Sequence, residues 1–342
     1  MKDIAVYIRS RDKFGDQIAS FPALYQLKQW WPQATLRVVG LHAVSGYYLP
    51  LPWVDEFVQV DSLYAAARAM PWRADMAVCL HHSSERYAIV NMLRMPKVRL
   101  GFQNNRLLDF IWTHGWRKDI NEYIGQANLS LLGTYRPVQP EITARDCFAS
   151  IAALAGQPGA SADIVLIPGG GDGEFKRWGV KNFVALADLL KATLGDDTRF
   201  SFVLGPAEAA ERAALQALNR SDFELVVGRT VPELAALMLN ARLIVANDCG
   251  PSHIGQSVCV PYVGVFNEAN PEWFWARSYT EAVYPESGRV DIQLVSPGQV
   301  AAACFRVLQT PRPLWLNGQG GHAAVQAGDQ ASGSMLHGRV AA

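Results

Sequence analysis

The segment Asp248-Cys249-Gly250-Pro251-Ser252-His253 brings an acid, a thiol, a glycine, a hydroxyl and an imidazole into one short block. Such a block suits an anionic ligand. Gly250 permits close backbone approach, Asp248 and His253 add an acceptor and a donor, and Ser252 can cap a helix starting there. The same residues also fit a plain strand–turn–helix corner with Asp248 as its cap. A second group is Gly15-Asp16. An acid beside a glycine at a strand end is a candidate general base, or equally the cap of a helix beginning near Ile18. A third is the run Pro168-Gly169-Gly170-Gly171 leading to Lys176-Arg177-Trp178. Glycine amides approach an oxyanion closely and Lys176 adds a point charge, which is the chemistry a diphosphate requires. No Gly-Lys-Ser/Thr follows, so this is not a Walker A loop. Glu208 is placed to accept from ribose hydroxyls or to serve as an ordinary first-turn helix acid. Arg9, Arg11 and Lys13, with Arg94, Lys97, Arg99 and Arg106, read as a basic face for an anionic acceptor or as solvated charges.

These residues need strands that end beside them. Ile4–Ile8 reads as a strand, followed by a helical pattern from Ile18 to about Trp31. Further strands are expected at 35–40, 56–60, 76–80 and 98–102, alternating with helical or polar segments, which implies a parallel sheet. His81 and His82 close the fourth strand, where one could make a polar contact, although capping or solvated histidines are the commoner case. From 129 to 140 glycine, proline and glutamine punctuate the chain, and 144–155 is helical. The boundary falls near 160. A second series then gives strands at 163–167, 200–204, 224–227 and 243–246. Its helices fall at 183–193, 208–218 and 231–239, the last with a Thr230–Glu233 capping box. A final helix covers 299–308, and beyond 310 the Gly/Ala/Gln-rich composition predicts a flexible tail. The fold class is therefore α/β, with two Rossmann-like doubly wound domains, 1–160 and 161–310, and a tail at 311–342. The dinucleotide fingerprint G-x-G-x-x-G is missing from the first loop.

Composition narrows the function. The chain of 342 residues is half apolar and carries 31 basic against 31 acidic groups, which argues against a nucleic-acid binder or a disordered chain. Cys79, Cys147, Cys249, Cys259 and Cys304 are scattered without C-x-x-C spacing, so free thiols in a reducing compartment and no metal site are expected. The N-terminus lacks a signal-peptide pattern and no apolar run approaches a membrane span, so the expected location is the cytoplasm. Ten tryptophans are compatible with a sugar-holding cleft, although large aromatics are more often core.

Three blocks together resemble glycosyltransferase family 9, the ADP-heptose:lipopolysaccharide heptosyltransferases. They are Gly15-Asp16 with Phe21-Pro22-Ala23-Leu24, then Pro168-Gly169 with Lys176-x-Trp178 and Phe183, then Asp248-Cys249-Gly250-Pro251-Ser252-His253. They span both domains in the family's order. The resemblance implies a GT-B fold, with the acceptor bound by the N-terminal domain and the donor by the C-terminal one. It implies inverting transfer without a metal or cofactor, with Asp16 as general base. It assigns the departing diphosphate to Lys176, with Asp248 and the Gly250 backbone also on the donor; with the residue readings above, the expected donor set is Gly169, Gly170, Lys176, Glu208, Asp248, Cys249, Gly250 and His253, and Arg9, Arg11 and Lys13 are expected to meet an anionic saccharide or glycolipid acceptor. It also implies peripheral contact with the inner membrane through the acceptor. Cys249 stands where the family has Thr, and Phe266–Pro271 departs from F-G-x-T-x-P, so the fold is more firmly implied than the donor. Two rivals share the architecture: a nucleotide-sugar 2-epimerase, and a nucleotide-sugar-binding protein without turnover.

Overall fold

The protein is described here from a computed structural model covering residues 1–9, 11–81, 85–156, 163–171, 173–286, 289–311 and 313. The first series of strands is β1 Asp3–Tyr7, β2 Thr35–Gly40, β3 Glu56–Gln59, β4 Met76–Cys79, β5 Val98–Phe102 and β6 His114–Trp116. The second is β7 Ile164–Ile167, β8 Phe200–Leu204, β9 Phe223–Val227, β10 Leu243–Asn247, β11 Tyr262–Val265 and β12 Thr280–Val283. Each series forms one six-stranded sheet, and every pairing is parallel. The orders are β3-β2-β1-β4-β5-β6 and β12-β11-β10-β7-β8-β9. Both place the first and fourth strands of a series side by side, so strand order reverses there. The crevice outside the carboxyl ends of such a pair is where doubly wound sheets bind ligands.

Helices cover both faces, so β1, β4, β7 and β10 are buried along nearly their whole length and read as unbroken apolar runs. The helix Pro140–Ala152 packs on Phe21–Trp30, which follows β1, and on Val231–Leu239, which precedes β10. One apolar core accordingly runs from Phe21 and Phe148 to Ile244 and Tyr262. The helix Phe14–Ile18 also packs on Gly250–Ser257, joining the ligand edges of the two sheets.

Several expectations require correction. The helical pattern placed from Ile18 is two helices, Phe14–Ile18 and Phe21–Trp30, with the break at Ala19-Ser20. The first starts ahead of Asp16, so Asp16 is not its cap. Lys13 holds the N-cap position, with no side-chain cap bond. The segment expected to be loop-like from 129 lies partly in the helix Ile124–Gly133. There Asn128 is buried and donates to Ala19 O at 3.1 Å. The next helix is Pro140–Ala152, with its last turn tightening to a 3₁₀ piece at Ala153–Ala155. The Thr230–Glu233 capping box forms as expected, with Thr230 N–H donating to Glu233 Oε2 at 2.8 Å. The boundary near 160, His82 and nearly all of the tail after 311 lie outside the described residues. Among the described residues no helix is long and apolar enough to cross a membrane.

Candidate active site

Three loops converge where the two sheets face each other. The loop after β1 carries Arg9 to Asp16, the loop after β7 carries Gly169 to Lys176, and the loop after β10 carries Asp248 and Cys249 into the helix Gly250–Ser257. The last two leave the neighbouring strands at which the second sheet reverses order. Between the loops lies a cavity of about 310 Å³ lined by residues of both sheets. Arg11, Lys13, Phe14, Gly15 and Asp16 form one wall. Gly171, Lys176, Asp248, Cys249, Gly250, His253 and Trp273 form the other. A larger cavity, about 400 Å³, opens beside Gln126, Gln139 and Trp275. Its only acid, Glu141, already accepts from Tyr279 Oη, so the reactive groups belong to the smaller one.

Lys176 ends a 3₁₀ turn and extends Nζ to Asp248 Oδ2 at 2.6 Å. The turn is anchored two residues later by Trp178, fully buried, whose indole N–H donates to Val295 O at 2.7 Å. Asp16 is only 8 % exposed. Arg9 Nη1 approaches its Oδ1 at 2.9 Å, an ion pair by distance rather than an aligned hydrogen bond. The Arg9 guanidinium lies 5.1 Å from the Trp273 ring centroid, and Nη2 reaches Glu272 at 3.6 Å. Arg9 is therefore engaged beneath the wall instead of facing an acceptor, whereas the exposed Arg11 and Lys13 do reach the cavity.

His253 is buried among Tyr123, stacked at 5.8 Å, and Trp273, edge-on at 5.5 Å. Burial pushes its pKa down to about 4, so the ring is neutral at physiological pH. Its Nδ1 shares a 3.0 Å hydrogen bond with Tyr123 Oη, and a phenol that donates there leaves the ring proton on Nε2. That edge faces Gly15. A Cβ built on Gly15 would sit 2.6 Å from His253 Cδ2, and one built on Gly250 would sit 2.4 Å from Phe14 Cδ1. The two helices touch because both positions lack side chains. Gly15→Ala should therefore force the His253 ring or the inter-helix contact apart at a cost of about 1–3 kcal/mol. Thermal melting checks this, and an unchanged midpoint would show that the contact yields freely.

Cys249, not Ser252, holds the N-cap position of the helix Gly250–Ser257, with no side-chain cap bond. Ser252 lies inside the first turn and donates its hydroxyl to Cys249 O at 2.7 Å. Burial pushes the Cys249 thiol up to about 12, so it stays protonated. Gly169, Gly170 and Glu208 do not line the cavity. Glu208 Oε2 accepts from Gly205 N–H at 2.8 Å, and Arg177 reaches Oε1 at 3.5 Å while pairing with Glu211 at 2.7 Å. Gly169 backs onto Glu208 and Gly170 onto Arg177, so this group supports the loop from behind. Of the second basic set, Arg94 and Arg99 turn back onto the carbonyls of Met70, Ile111 and Pro96. His81 closes β4 with a pKa lowered to about 4 by burial and nearby arginines, and it does not line the cavity.

The sequence reading missed Phe14, Gly171, Tyr123 and Trp273. Gly171 lay in the same glycine run and was within reach. Tyr123 and Trp273 carry no local signal, since each meets His253 only through the fold.

No curated protein matches the chain. Among solved structures it is similar to a glycosyl transferase family 9 protein from Veillonella parvula, with 21% identity and TM-score 0.61 over 90% of this chain and 97% of that one. It is also similar to the E. coli ADP-heptose lps heptosyltransferase II, at 17% identity and TM-score 0.59, covering 90% and 98% of the two chains. The third is the E. coli heptosyltransferase WaaC with ADP-2-deoxy-2-fluoro heptose, at 14% identity and TM-score 0.64, covering 88% and 98%. At these identities the likeness is one of fold, and the fold is GT-B. The family model described as glycosyltransferase family 9 (heptosyltransferase) matches residues 117–284, the stretch that holds Lys176, Asp248 and His253. The chain thus carries a glycosyltransferase family 9 domain, set in the two-sheet frame of the solved heptosyltransferases.

Proposed function

We propose that the protein transfers a sugar, with inversion and without a metal, from a nucleotide-diphosphate donor to a saccharide of the bacterial envelope. ADP-heptose is the donor and lipopolysaccharide core the acceptor to test first. The observation that carries this reading is that Asp16 and the Lys176–Asp248 pair enter one cavity from opposite sheets. Asp16 takes the proton of the acceptor hydroxyl as its oxygen bonds to the anomeric carbon. The bond from that carbon to the diphosphate oxygen breaks on the other side, and the departing charge falls to Lys176 and the Gly250 end of the helix. Those fixed positive groups supply the stabilisation that a divalent cation gives in other transferases. Asp248 holds Lys176 in place before donor arrives, and Arg11 and Lys13 meet an anionic acceptor at the cavity mouth. Arg9 does not touch the acceptor in this scheme; it fixes the position of the Asp16 carboxylate.

The test is acceptor-dependent release of ADP from ADP-heptose, with the anomeric configuration of the product read by NMR. Release without acceptor, or equilibration of the sugar at C2, would favour the epimerase, and binding with no turnover would favour the inactive homologue. Lys176→Ala should weaken ADP binding about 10- to 100-fold, the worth of a charge-assisted hydrogen bond. Calorimetric titration reads this directly, and equal affinity in a folded variant would remove Lys176 from the site.

A further inference from the structure

The larger of the two cavities described above, about 400 Å³, takes no part in the proposed transfer, yet its volume falls among those of ligand pockets, about 300–1,000 Å³. It opens at the start of the helix Pro140–Ala152, against Gln126 and Trp275. Trp275 is 3% exposed, and its broad surface is already taken. Tyr123 stacks on it at 5.4 Å and the Arg277 guanidinium lies 4.5 Å from its ring centroid. What the indole still offers is its edge. The indole N–H finds no acceptor among the described residues and is not sealed off, and the open space that Trp275 lines is this cavity. A donor on so buried a side chain ordinarily has a partner, either protein or bound molecule. Gln139 holds the N-cap position of the helix with no side-chain cap bond, so the first-turn amides of Glu141 and Ile142 add donors at the same rim.

The lining decides the class of ligand. It includes no lysine or arginine, and its one acid, Glu141, would repel an anion. One Glu141 oxygen accepts from Tyr279 Oη, which leaves the other as an acceptor. The carboxamides of Gln126 and Gln139 each donate and accept. Between these polar groups stand Val138, Pro140 and Ile142. Sugar hydroxyls need donors and acceptors together, and the C–H faces of a pyranose need apolar neighbours, so the set suits an uncharged saccharide. A phosphate or carboxylate would find donors here but no counter-charge. The cavity is also separate from the reacting one. The rings of Tyr123 and His253 continue the stack from Trp275 at 5.4 and 5.8 Å, and His253 is the member that lines the reacting cavity.

We propose that this second cavity holds a ring of a neutral saccharide, with the Trp275 indole N–H and the Gln126 and Gln139 carboxamides as its hydrogen-bonding contacts. The binding does not depend on the transfer reaction, so it stands or falls separately from the donor and acceptor proposed above. The test is saturation-transfer NMR on the full chain with glucose, maltose and lactose in turn, followed by titration of whichever responds. At least one of the three should receive saturation. Gln126→Ala and Gln139→Ala should each weaken its affinity about 2- to 10-fold, the worth of one hydrogen bond, and Trp275→Phe should do the same while keeping a ring against Tyr123. Asp16→Asn, in the other cavity, should leave the sugar affinity unchanged. Melting temperature separates a lost contact from a lost fold, since both glutamines lie outside the buried core and their variants should melt as the parent does. No saturation of any of the three sugars would overturn the inference. So would binding that Asp16→Asn weakens and the glutamine variants do not, because the sugar would then sit in the reacting cavity. Binding of inorganic phosphate in place of any sugar, lost in the glutamine variants, would overturn it in favour of an anion.

Discussion

Asp16→Asn should lower turnover about 10²–10⁴-fold, the range over which general-base catalysis operates, while ADP affinity and thermal midpoint stay near those of the parent protein. The substitution is nearly isosteric, so the helix Phe14–Ile18 keeps its place against Gly250–Ser257. What changes is the capacity to accept a proton. The Arg9 contact makes the prediction sharper. A carboxylate 2.9 Å from a guanidinium, with only 5% of its side chain exposed, is held in one position at the cavity wall. The neutral amide loses that ion pair as well, and a small fall in melting temperature is compatible with the role. Steady-state kinetics under saturating donor and acceptor, with calorimetry for ADP, makes the test. Retained turnover would mean that Asp16 serves only to hold Arg9 and that the base lies elsewhere.

Trp178→Ala should cost about 3–5 kcal/mol in the stability of the second sheet's unit, the range for removing a buried tryptophan. Three losses combine. The indole packs on Phe183 at 5.0 Å, it belongs to the core formed with Phe200 and Val295, and its N–H satisfies the Val295 carbonyl. Trp178→Phe separates them in part, because an aromatic ring remains while the hydrogen bond and some of the indole's buried volume go, for about 2–3 kcal/mol. Denaturant unfolding of both variants is the measurement. A midpoint for Trp178→Ala equal to that of the parent would show that the indole is not what holds the Lys176 turn.

The central strands of both sheets were legible in the sequence because parallel strands covered on two faces need continuous apolar runs, as in Leu243–Asn247 and Ile164–Ile167. Of the edge strands, those at 56–60 and 224–227 were read, but β6 and β12 were not. His114–Trp116 is three half-buried residues, and Thr280–Val283 mixes polar and apolar types because only one neighbour constrains it. The helix Phe14–Ile18 is shorter than any window in which a helical period can be detected. Asp16, Lys176 and Asp248 were legible as candidates because loops at strand ends carry chemistry. Their mutual arrangement was not, since the Arg9–Asp16 pair and the His253–Tyr123 bond depend on how the chain folds back on itself. Arg9 and Glu208 were misplaced for the same reason. A charge read from sequence looks free until its counter-ion is known.

The meeting of Gly15 with His253 and of Gly250 with Phe14 bears on modular exchange. Two doubly wound units joined by a linker invite the construction of chimeras, in which the half holding the donor is swapped to change specificity. Here the seam admits only partners that interlock. An incoming half must bring a residue without a side chain at the position of Gly250 and a flat ring where His253 sits, and the resident half must keep Gly15 and Phe14. Four positions, two on each side of the join, therefore set which halves are interchangeable, and a library of recombined transferases built on this frame is best filtered on them before any contact to the sugar is considered.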